Sequence, residues 1–117
     1  MTIKKITELL VTNYVSDFID LSRNVEFAYA SDLMSDILVI PSPGALLVTG
    51  LVNYQVIRTS KIAGIYPIVF VRGKKPDEGI LDLSAKYKIP VLITELSMFE
   101  TCGILFSNGI KAVKKKK

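Results

Sequence analysis

Three stretches of the chain are apolar at almost every position. They are 45–50 (ALLVTG), 67–71 (PIVFV) and 90–94 (PVLIT). Strands that are buried on both faces have this pattern, and they belong to parallel sheets that are covered by helices. Proline begins the second and third stretches, where a strand loses little from the missing N–H. The pattern therefore predicts three central parallel strands.

The segments around these strands carry helix signals. Capping residues and apolar positions three or four apart predict helices. The predicted helices are 3–10 with Thr2 as N-cap, 31–38 with Ser31 as N-cap, 53–64 between Asn53 and Gly64, 76–88 with Pro76 in the first turn, and 97–107 with Ser97 as N-cap. Residues 25–30 (VEFAYA) predict a fourth strand, 40–44 (IPSPG) predict a loop, and 11–24 fit either a strand or an extended segment.

Alternation of strands and helices predicts an α/β fold. Helices that connect parallel strands cross over on the faces of the sheet. We therefore expect a three-layer α/β sandwich of about four mostly parallel strands with helices on both faces. A length of 117 residues suggests one domain. We expect this domain to span 1–113.

The positive charge of the chain is concentrated at its end. The formal net charge is +4, with 15 basic and 11 acidic side chains, and the last four residues are Lys114 to Lys117. Without them the count is 15 − 4 = 11 basic against 11 acidic residues, so the body is neutral. A terminal lysine run is typical of a solvated end. We expect 114–117 to be a disordered tail, and we expect no nucleic-acid partner.

The amino-acid composition argues against several kinds of catalytic and metal-binding site. The chain has no histidine, which is the commonest general base, and its one cysteine, Cys102, cannot form an internal disulfide or a two-cysteine metal site. A buried, inert thiol is the interpretation we favour for Cys102. No apolar run is long enough for a membrane span or a signal peptide. We expect a cytoplasmic protein with no membrane contact, no cofactor and no enzymatic activity.

The stretch VRGKKPDEG, 71–79, has the appearance of a phosphate-binding loop after a strand. A Walker A loop needs a glycine five residues before the second glycine, then lysine and a hydroxyl residue. Here Ile68 stands five residues before Gly73, and Lys75 stands where the hydroxyl residue should be. The nucleotide-enzyme signature is therefore absent.

Charge after this stretch also argues against a phosphate loop. Asp77 and Glu78 fall in the predicted first turn of the next helix, where they complement its positive end and would repel a phosphate. An exposed turn is the interpretation we favour. Contact of Lys74 or Lys75 with an anion stays the alternative.

Small and polar residues follow all four predicted parallel strands. Carboxyl ends of parallel strands lie at one edge of an open α/β sheet, where such folds bind ligands. Arg72 stands out because it follows directly on a buried strand. The predicted ligand-binding residues are Asp32, Thr49, Gly50, Asn53, Arg72, Gly73, Thr94, Glu95 and Ser97. The alternative is that they only turn the chain, and Ser97 with Glu100 also has the pattern of a capping box.

Two segments resemble the DRTGG domain family. They are YASDLMSDIL at 29–38 and AGIYPIVFVRGKKPDEGILDLSAKYKIPVLITELSMFETCGIL at 63–105. The resemblance covers nearly the whole chain and is clearest over 28–106, where MFETC at 98–102 keeps the opening of the last helix. In family members the glycine after the second strand precedes an acidic-basic pair, but Leu51 and Val52 follow Gly50 here. Only Gly73 remains of a Thr-Gly-Gly element.

The resemblance implies a fold similar to the N-terminal domains of HPr kinase and of the Mur ligases. DRTGG domains occur alone, beside CBS domains and in phosphotransacetylases. The resemblance therefore implies a non-catalytic regulatory or sensor domain that binds a small, nucleotide-like ligand at the carboxyl edge of the sheet. The alternative is a ligand-free interaction module that docks to a redox or signalling enzyme. Self-association is common in such domains, so we expect a homodimer.

Overall fold

The computed structural model describes residues 1–39 and 42–113, and this part of the chain contains five α-helices and six strands. The helices are α1 (Ile3–Leu10), α2 (Met34–Val39), α3 (Tyr54–Ala63), α4 (Glu78–Tyr87) and α5 (Met98–Ser107). The strands are β1 (Tyr14–Val15), β2 (Phe27–Ala30), β3 (Leu46–Thr49), β4 (Ile68–Phe70), β5 (Val91–Ile93) and β6 (Lys111–Ala112). The predicted lysine tail, 114–117, lies outside the described residues, as do positions 40 and 41 of the predicted loop.

All six strands form one sheet in the order β1-β5-β4-β3-β2-β6. Every neighbouring pair is parallel except β1 and β5, which are antiparallel. Register pairs near the strand ends are Ala30 with Val48, Thr49 with Phe70, and Phe70 with Ile93. The predicted α/β fold with four parallel strands is confirmed in β2 to β5. One two-residue strand extends the sheet at each edge.

The central strands bury side chains on both faces of the sheet. Leu47 of β3 packs with α2, α3 and α4, whereas its neighbours Leu46 and Val48 pack with α1 and α5. The same alternation runs through β4 and β5, and every residue of these three strands is buried. Helices on both faces confirm the predicted three-layer arrangement. This double burial explains why the sequence is apolar at every position there.

The predicted N-caps of three helices, and the predicted end of one of them, agree with the structure. Thr2 caps α1 by accepting the Lys5 N–H, and α3 runs between its N-cap Asn53 and the left-handed Gly64. At α5 the predicted capping box is complete: Ser97 accepts the Glu100 N–H, and Glu100 accepts the Ser97 N–H. Each cap satisfies an amide that the first helical turn leaves without a partner.

The second helix begins later than predicted. Ser31 is not its N-cap, because the Ser31 hydroxyl accepts the Leu33 N–H at 2.9 Å, only two residues on. This local turn competes with a helix start. The helix therefore begins at Met34, and Asp32 stays in the loop after β2.

The predicted start of the fourth helix is also shifted. Pro76 lies before the helix, and Asp77 is the N-cap, with its Oδ1 accepting the Ile80 N–H at 2.9 Å. Glu78 is in the first turn, as predicted. Aspartate is among the strongest N-cap residues. The helix therefore starts after Asp77, and Pro76 is left outside it.

Two helices end on residues that are not glycine but have left-handed backbone. Val11 at the end of α1 has φ +48°, and Lys88 at the end of α4 has φ +56°. At Val11 the chain closes a Schellman-type turn, in which Thr12 N–H bonds to Thr7 O at 3.1 Å. A β-branched side chain disfavours this backbone region. Val11 is 76% exposed, so little packing compensates the strain.

We predict that Val11→Gly stabilises the domain by about 0.5–1 kcal/mol, because glycine adopts the left-handed region without a Cβ clash. Urea unfolding followed by circular dichroism measures the change. Val11→Ala is the matched control, since it shortens the side chain but keeps the Cβ. Equal stabilisation by both variants would show that loss of the two valine methyl groups, and not loss of the Cβ, causes the gain.

Candidate functional site

The turn after β4 has an unusual backbone. Arg72 and Gly73 are both left-handed, with φ +62° and +66°, and Lys74 N–H bonds to Val71 O at 3.4 Å. Two successive left-handed residues inside such a bond make a type I′ turn. The turn lifts the Arg72 side chain out of the buried strand and into solvent, where it is exposed.

The amides of this turn are already used. Arg72 N–H bonds to Leu96 O, and Gly73 N–H bonds to Thr94 O, each at 2.8 Å. A phosphate loop binds its ligand through free backbone N–H groups. Because these N–H groups bond to the segment after β5, the turn is not a phosphate cradle. Any anion bound here has to be held by side chains.

Gly73 also lies directly against the side chain of Glu95. A Cβ at Gly73 would overlap the carboxylate of Glu95. That carboxylate also accepts a hydrogen bond from the Asn13 side-chain amide at 3.3 Å. The turn and the loop after β5 therefore lie against each other, with Asn13 bringing in the segment that leads to β1.

Asp32 connects the ends of β2 and β3. Its Oδ1 accepts the Thr49 hydroxyl at 2.9 Å and the Gly50 N–H at 2.8 Å. The Thr49 hydroxyl in turn accepts the Leu51 N–H at 3.1 Å. Thr49 and Gly50 are buried, so without Asp32 their polar groups would lose a partner that water does not easily replace. One carboxylate oxygen thus holds the loop after β3 in place.

Two cations surround Gly50 beside this carboxylate. A Cβ at Gly50 would come 3.0 Å from a guanidinium nitrogen of Arg72 and 3.6 Å from the second carboxylate oxygen of Asp32. Lys74 Nζ donates to Gly50 O at 3.3 Å. The absent side chain of Gly50 lets the Arg72 and Asp32 groups approach the same backbone atoms. Within the described residues, no carboxylate oxygen lies within 4.0 Å of the Arg72 guanidinium.

Three predicted site residues use their side chains to hold the fold. Asn53 Oδ1 accepts the Val56 N–H as the cap of α3. The Thr94 hydroxyl is buried and donates to Leu10 O at 2.6 Å. Ser97 caps α5. These contacts account for all three residues without a ligand.

The nine predicted residues thus fall into groups. Asp32, Thr49, Gly50 and Arg72 meet around the end of β3. Gly73 and Glu95 instead line a cavity of about 330 Å³ at the end of β5, together with Asn13, Tyr14, Lys75 and Ile93. Lys74, Lys75, Asn13 and Tyr14 were not among the predicted residues. The two lysines were visible in VRGKK, but nothing in the sequence places β1 beside β5.

Two side chains on α5 have shifted pKa values. Hydrogen bonds from the Ser97 amide and hydroxyl lower the pKa of Glu100, as a capping box requires. Partial burial raises the pKa of the Cys102 thiol, which disfavours the reactive thiolate. The sequence predicted a buried thiol, whereas Cys102 is half-buried, because it lies at the edge of the helix face that packs on the sheet.

The described residues contain neither a cluster of metal ligands nor a membrane-spanning helix. Among residues 1–39 and 42–113, no cluster of three or more potential metal ligands is present. No helix in the described ranges is both long and apolar enough to span a bilayer.

We predict that Asp32→Ala destabilises the domain by about 1–3 kcal/mol, because the Gly50 N–H and the Thr49 hydroxyl then lose their acceptor. Asp32→Asn keeps an oxygen at the same position and should cost clearly less. Thermal unfolding of the two variants measures the difference. Equal stability of Asp32→Ala and the unmodified protein would show that the loop after β3 does not depend on this carboxylate.

Comparison with known proteins shows that this chain is similar to another protein in fold but not detectably in sequence. No protein-family model matches the sequence, and no curated protein matches it either. The chain is similar to the crystal structure of the CBS and DRTGG domains of the regulatory region of Clostridium perfringens pyrophosphatase, in complex with its activator diadenosine tetraphosphate. The TM-score is 0.66 at 12% identity, over 89% of this chain and 45% of that chain. The chain therefore has a fold like that of a CBS and DRTGG regulatory region and spans less than half of its length.

Proposed function

We propose that this domain is a non-catalytic regulatory or sensor module that binds a small, nucleotide-like ligand at the carboxyl edge of its sheet. The observation that carries the proposal is the Arg72 guanidinium. Arg72 is an exposed residue on a turn whose backbone is fixed, and its guanidinium lies over Gly50. No carboxylate oxygen of the described residues lies within 4.0 Å of this guanidinium. Arginine in such a position suits a phosphate, because its planar fork binds two oxygens at once.

Lys74 and Asp32 lie beside Arg72 and offer further contacts for a ligand at this edge. Lys74 adds a second cation, and its ammonium group donates a hydrogen bond to Gly50 O at 3.3 Å. Asp32 uses Oδ1 for the fold, while Oδ2 faces the same space as Arg72. Two cations suit phosphate oxygens, and a carboxylate oxygen suits a sugar hydroxyl. A phosphorylated nucleoside combines these two chemistries.

The fold comparison supports the same class of ligand. The regulatory region of the pyrophosphatase was solved with a dinucleotide activator. The sequence resemblance to DRTGG domains points to a regulatory domain as well. Both observations support the proposal of a regulatory module for a nucleotide-like ligand, and we expect such a module to be cytoplasmic.

A binding role fits the residues at this edge better than catalysis does. The Thr49 hydroxyl donates to Asp32 and is buried, so it does not reach a ligand. Asp32 already accepts two hydrogen bonds and has no histidine to work with. Arg72 and Lys74 are side chains suited to binding an anion.

Protein interaction is the second candidate function. The observation in its favour is the exposure of two phenylalanines on α5, Phe99 and Phe106. A module with such a surface could form a homodimer or dock to a redox or signalling enzyme without binding a small molecule.

We predict that diadenosine tetraphosphate or ATP raises the melting temperature of the protein and that Arg72→Ala removes the rise. A ligand at 100 times its dissociation constant stabilises a protein by about 2.7 kcal/mol, which is several degrees in a domain of this size. Thermal-shift titration measures the effect. Alanine at position 72 keeps the same left-handed strain as arginine, so the unliganded variant should melt near the unmodified protein.

Lys5→Ala is the matched control. Lys5 is an exposed cation in the first turn of α1, whereas the last turn of that helix contacts the carboxyl edge through Leu10 and Thr94. The control removes one positive charge far from the site and should leave the thermal shift intact. The proposal fails if neither nucleotide stabilises the protein, or if Arg72→Ala responds like the Lys5→Ala control.

A further inference from the structure

An apolar groove of about 400 Å³ lies beside the second half of α5. Its lining comes mainly from this helix, from β2 and from the segment around β6. Ala28 and Ala30 of β2 have side chains too small to fill the space, and Cys102, Leu105 and Phe106 line it from the helix. Small-molecule sites in proteins measure about 300–1,000 Å³ and are lined mostly by apolar side chains. The groove has the size and the lining of such a site.

The groove is elongated in the direction of the strands. Consecutive residues of β2, 28–30, line it, and so do consecutive residues in and around β6, 110–113. These two strands run side by side and parallel. At about 3.3 Å per residue, the lining therefore extends over roughly 10–13 Å. An extended alkyl chain suits a channel of this shape.

Positive charge lies beside this apolar groove. Among the described residues of the lining, Lys111 alone carries a charged side chain. Its Nζ is 3.7 Å from Glu26 Oε1, and the two side chains are 67% and 68% exposed. An exposed ion pair at this distance contributes little, so the ammonium group stays available to an anion. The sequence then continues from Val113 of the lining into the four lysines 114–117, which add to the positive charge.

We infer that the groove binds a medium-chain aliphatic carboxylate, with its alkyl chain along β2 and its carboxylate beside Lys111. Few side chains of the lining form hydrogen bonds, so the body of the ligand has to be apolar. A nucleotide does not suit the groove, because its base and sugar would lose hydrogen bonds to water there. The lysine ammonium is a compact point charge without the fork of an arginine, and it suits a single carboxylate.

This second site is separate from the proposed nucleotide site. Asp32, Arg72 and Lys74 are not among the residues that line the groove. The inference adds a second class of ligand to the proposed function, and the two proposals can fail separately. Arg72→Ala should bind the carboxylate like the unmodified chain, and a variant with a filled groove should still respond to a nucleotide.

Cys102 provides a direct readout, because it lines the groove, is half-buried and is the single cysteine of the chain. The rate of its modification by N-ethylmaleimide, followed by mass spectrometry on the full chain, should fall as decanoate fills the groove. Octanoate has two methylene groups fewer and should bind roughly tenfold more weakly. Decanol has the same alkyl chain without the anionic end, and it should protect Cys102 less than decanoate does. All ligands are used below the concentrations at which they form micelles.

Three variants test the two ends of the ligand. Ala28→Leu fills the groove and should weaken decanoate binding by about tenfold or more. Lys111→Met keeps the length of the side chain but removes its charge, and it should weaken binding about threefold. Glu26→Gln removes the carboxylate that competes for Lys111 and should strengthen binding about twofold. Opposite effects of the last two variants would show that the ligand contributes the negative charge.

Ala85→Leu and Lys5→Met are the matched controls. Both positions are exposed, on α4 and α1, and neither lines the groove, so both variants should bind decanoate normally. Circular dichroism checks the fold, and Ala30→Leu, at an exposed position of β2, replaces Ala28→Leu if that variant unfolds.

The inference is overturned if millimolar decanoate gives no saturable protection of Cys102, if decanol protects as well as decanoate, or if protection survives in the filled groove. Binding to phosphatidylglycerol vesicles without protection by soluble decanoate would assign this face to a membrane surface and overturn the inference as well.

Discussion

The burial of β3, β4 and β5 on both faces is the constraint on which the rest of the structure depends. Within such a strand, the backbone N–H and C=O groups bond to the neighbouring strands. At its ends, backbone groups that are buried away from water need other hydrogen-bond partners. Ser16 supplies one at the start of β5, where its hydroxyl accepts the Val91 N–H at 2.8 Å. Asp32 supplies another after β3, and Thr94 ties the end of β5 to the last turn of α1.

This constraint also determines what the carboxyl edge can do. Polar residues gather there because four parallel strands end together, but most of them satisfy the backbone. Asn53, Thr94 and Ser97 hold helix starts and strand ends, so their presence does not require a ligand. Arg72 and Lys74 differ, since neither forms an ion pair with a carboxylate of the described residues. The ligand hypothesis rests on these two positive charges, which the fold does not neutralise.

The sequence predicted well those features that depend on local chemistry. Uninterrupted apolar runs identified the central strands, and side-chain caps located α1, α3 and α5. It did not predict β6, and it left β1 open because 11–24 fit either a strand or an extended segment. Each of these strands has two residues and forms through contacts distant in sequence. The start of α2 was wrong because Ser31 bonds two residues ahead instead of three.

The candidate site was predictable only as a set of strand ends. Sequence indicated that Asp32, Gly50 and Arg72 lie at one edge, because parallel strands bring their carboxyl ends together. It could not show that Arg72 turns back over Gly50, which depends on the left-handed turn and its bonds to the loop after β5. The exposure of Phe99 and Phe106 on α5 was not predictable for a different reason: an apolar helix suggests a core helix until its neighbours are known.

Nuclear magnetic resonance mapping of nucleotide binding tests the central claim most directly. In a ¹⁵N-labelled sample titrated with diadenosine tetraphosphate, we expect saturable shifts at the backbone amides of Asp32, Gly50 and Arg72 to Lys74. Amides of the amino-terminal edge, such as Arg23 and Gly44, should stay in place. Shifts confined to residues away from this edge, or no shifts at millimolar nucleotide, would contradict a nucleotide site at the carboxyl edge.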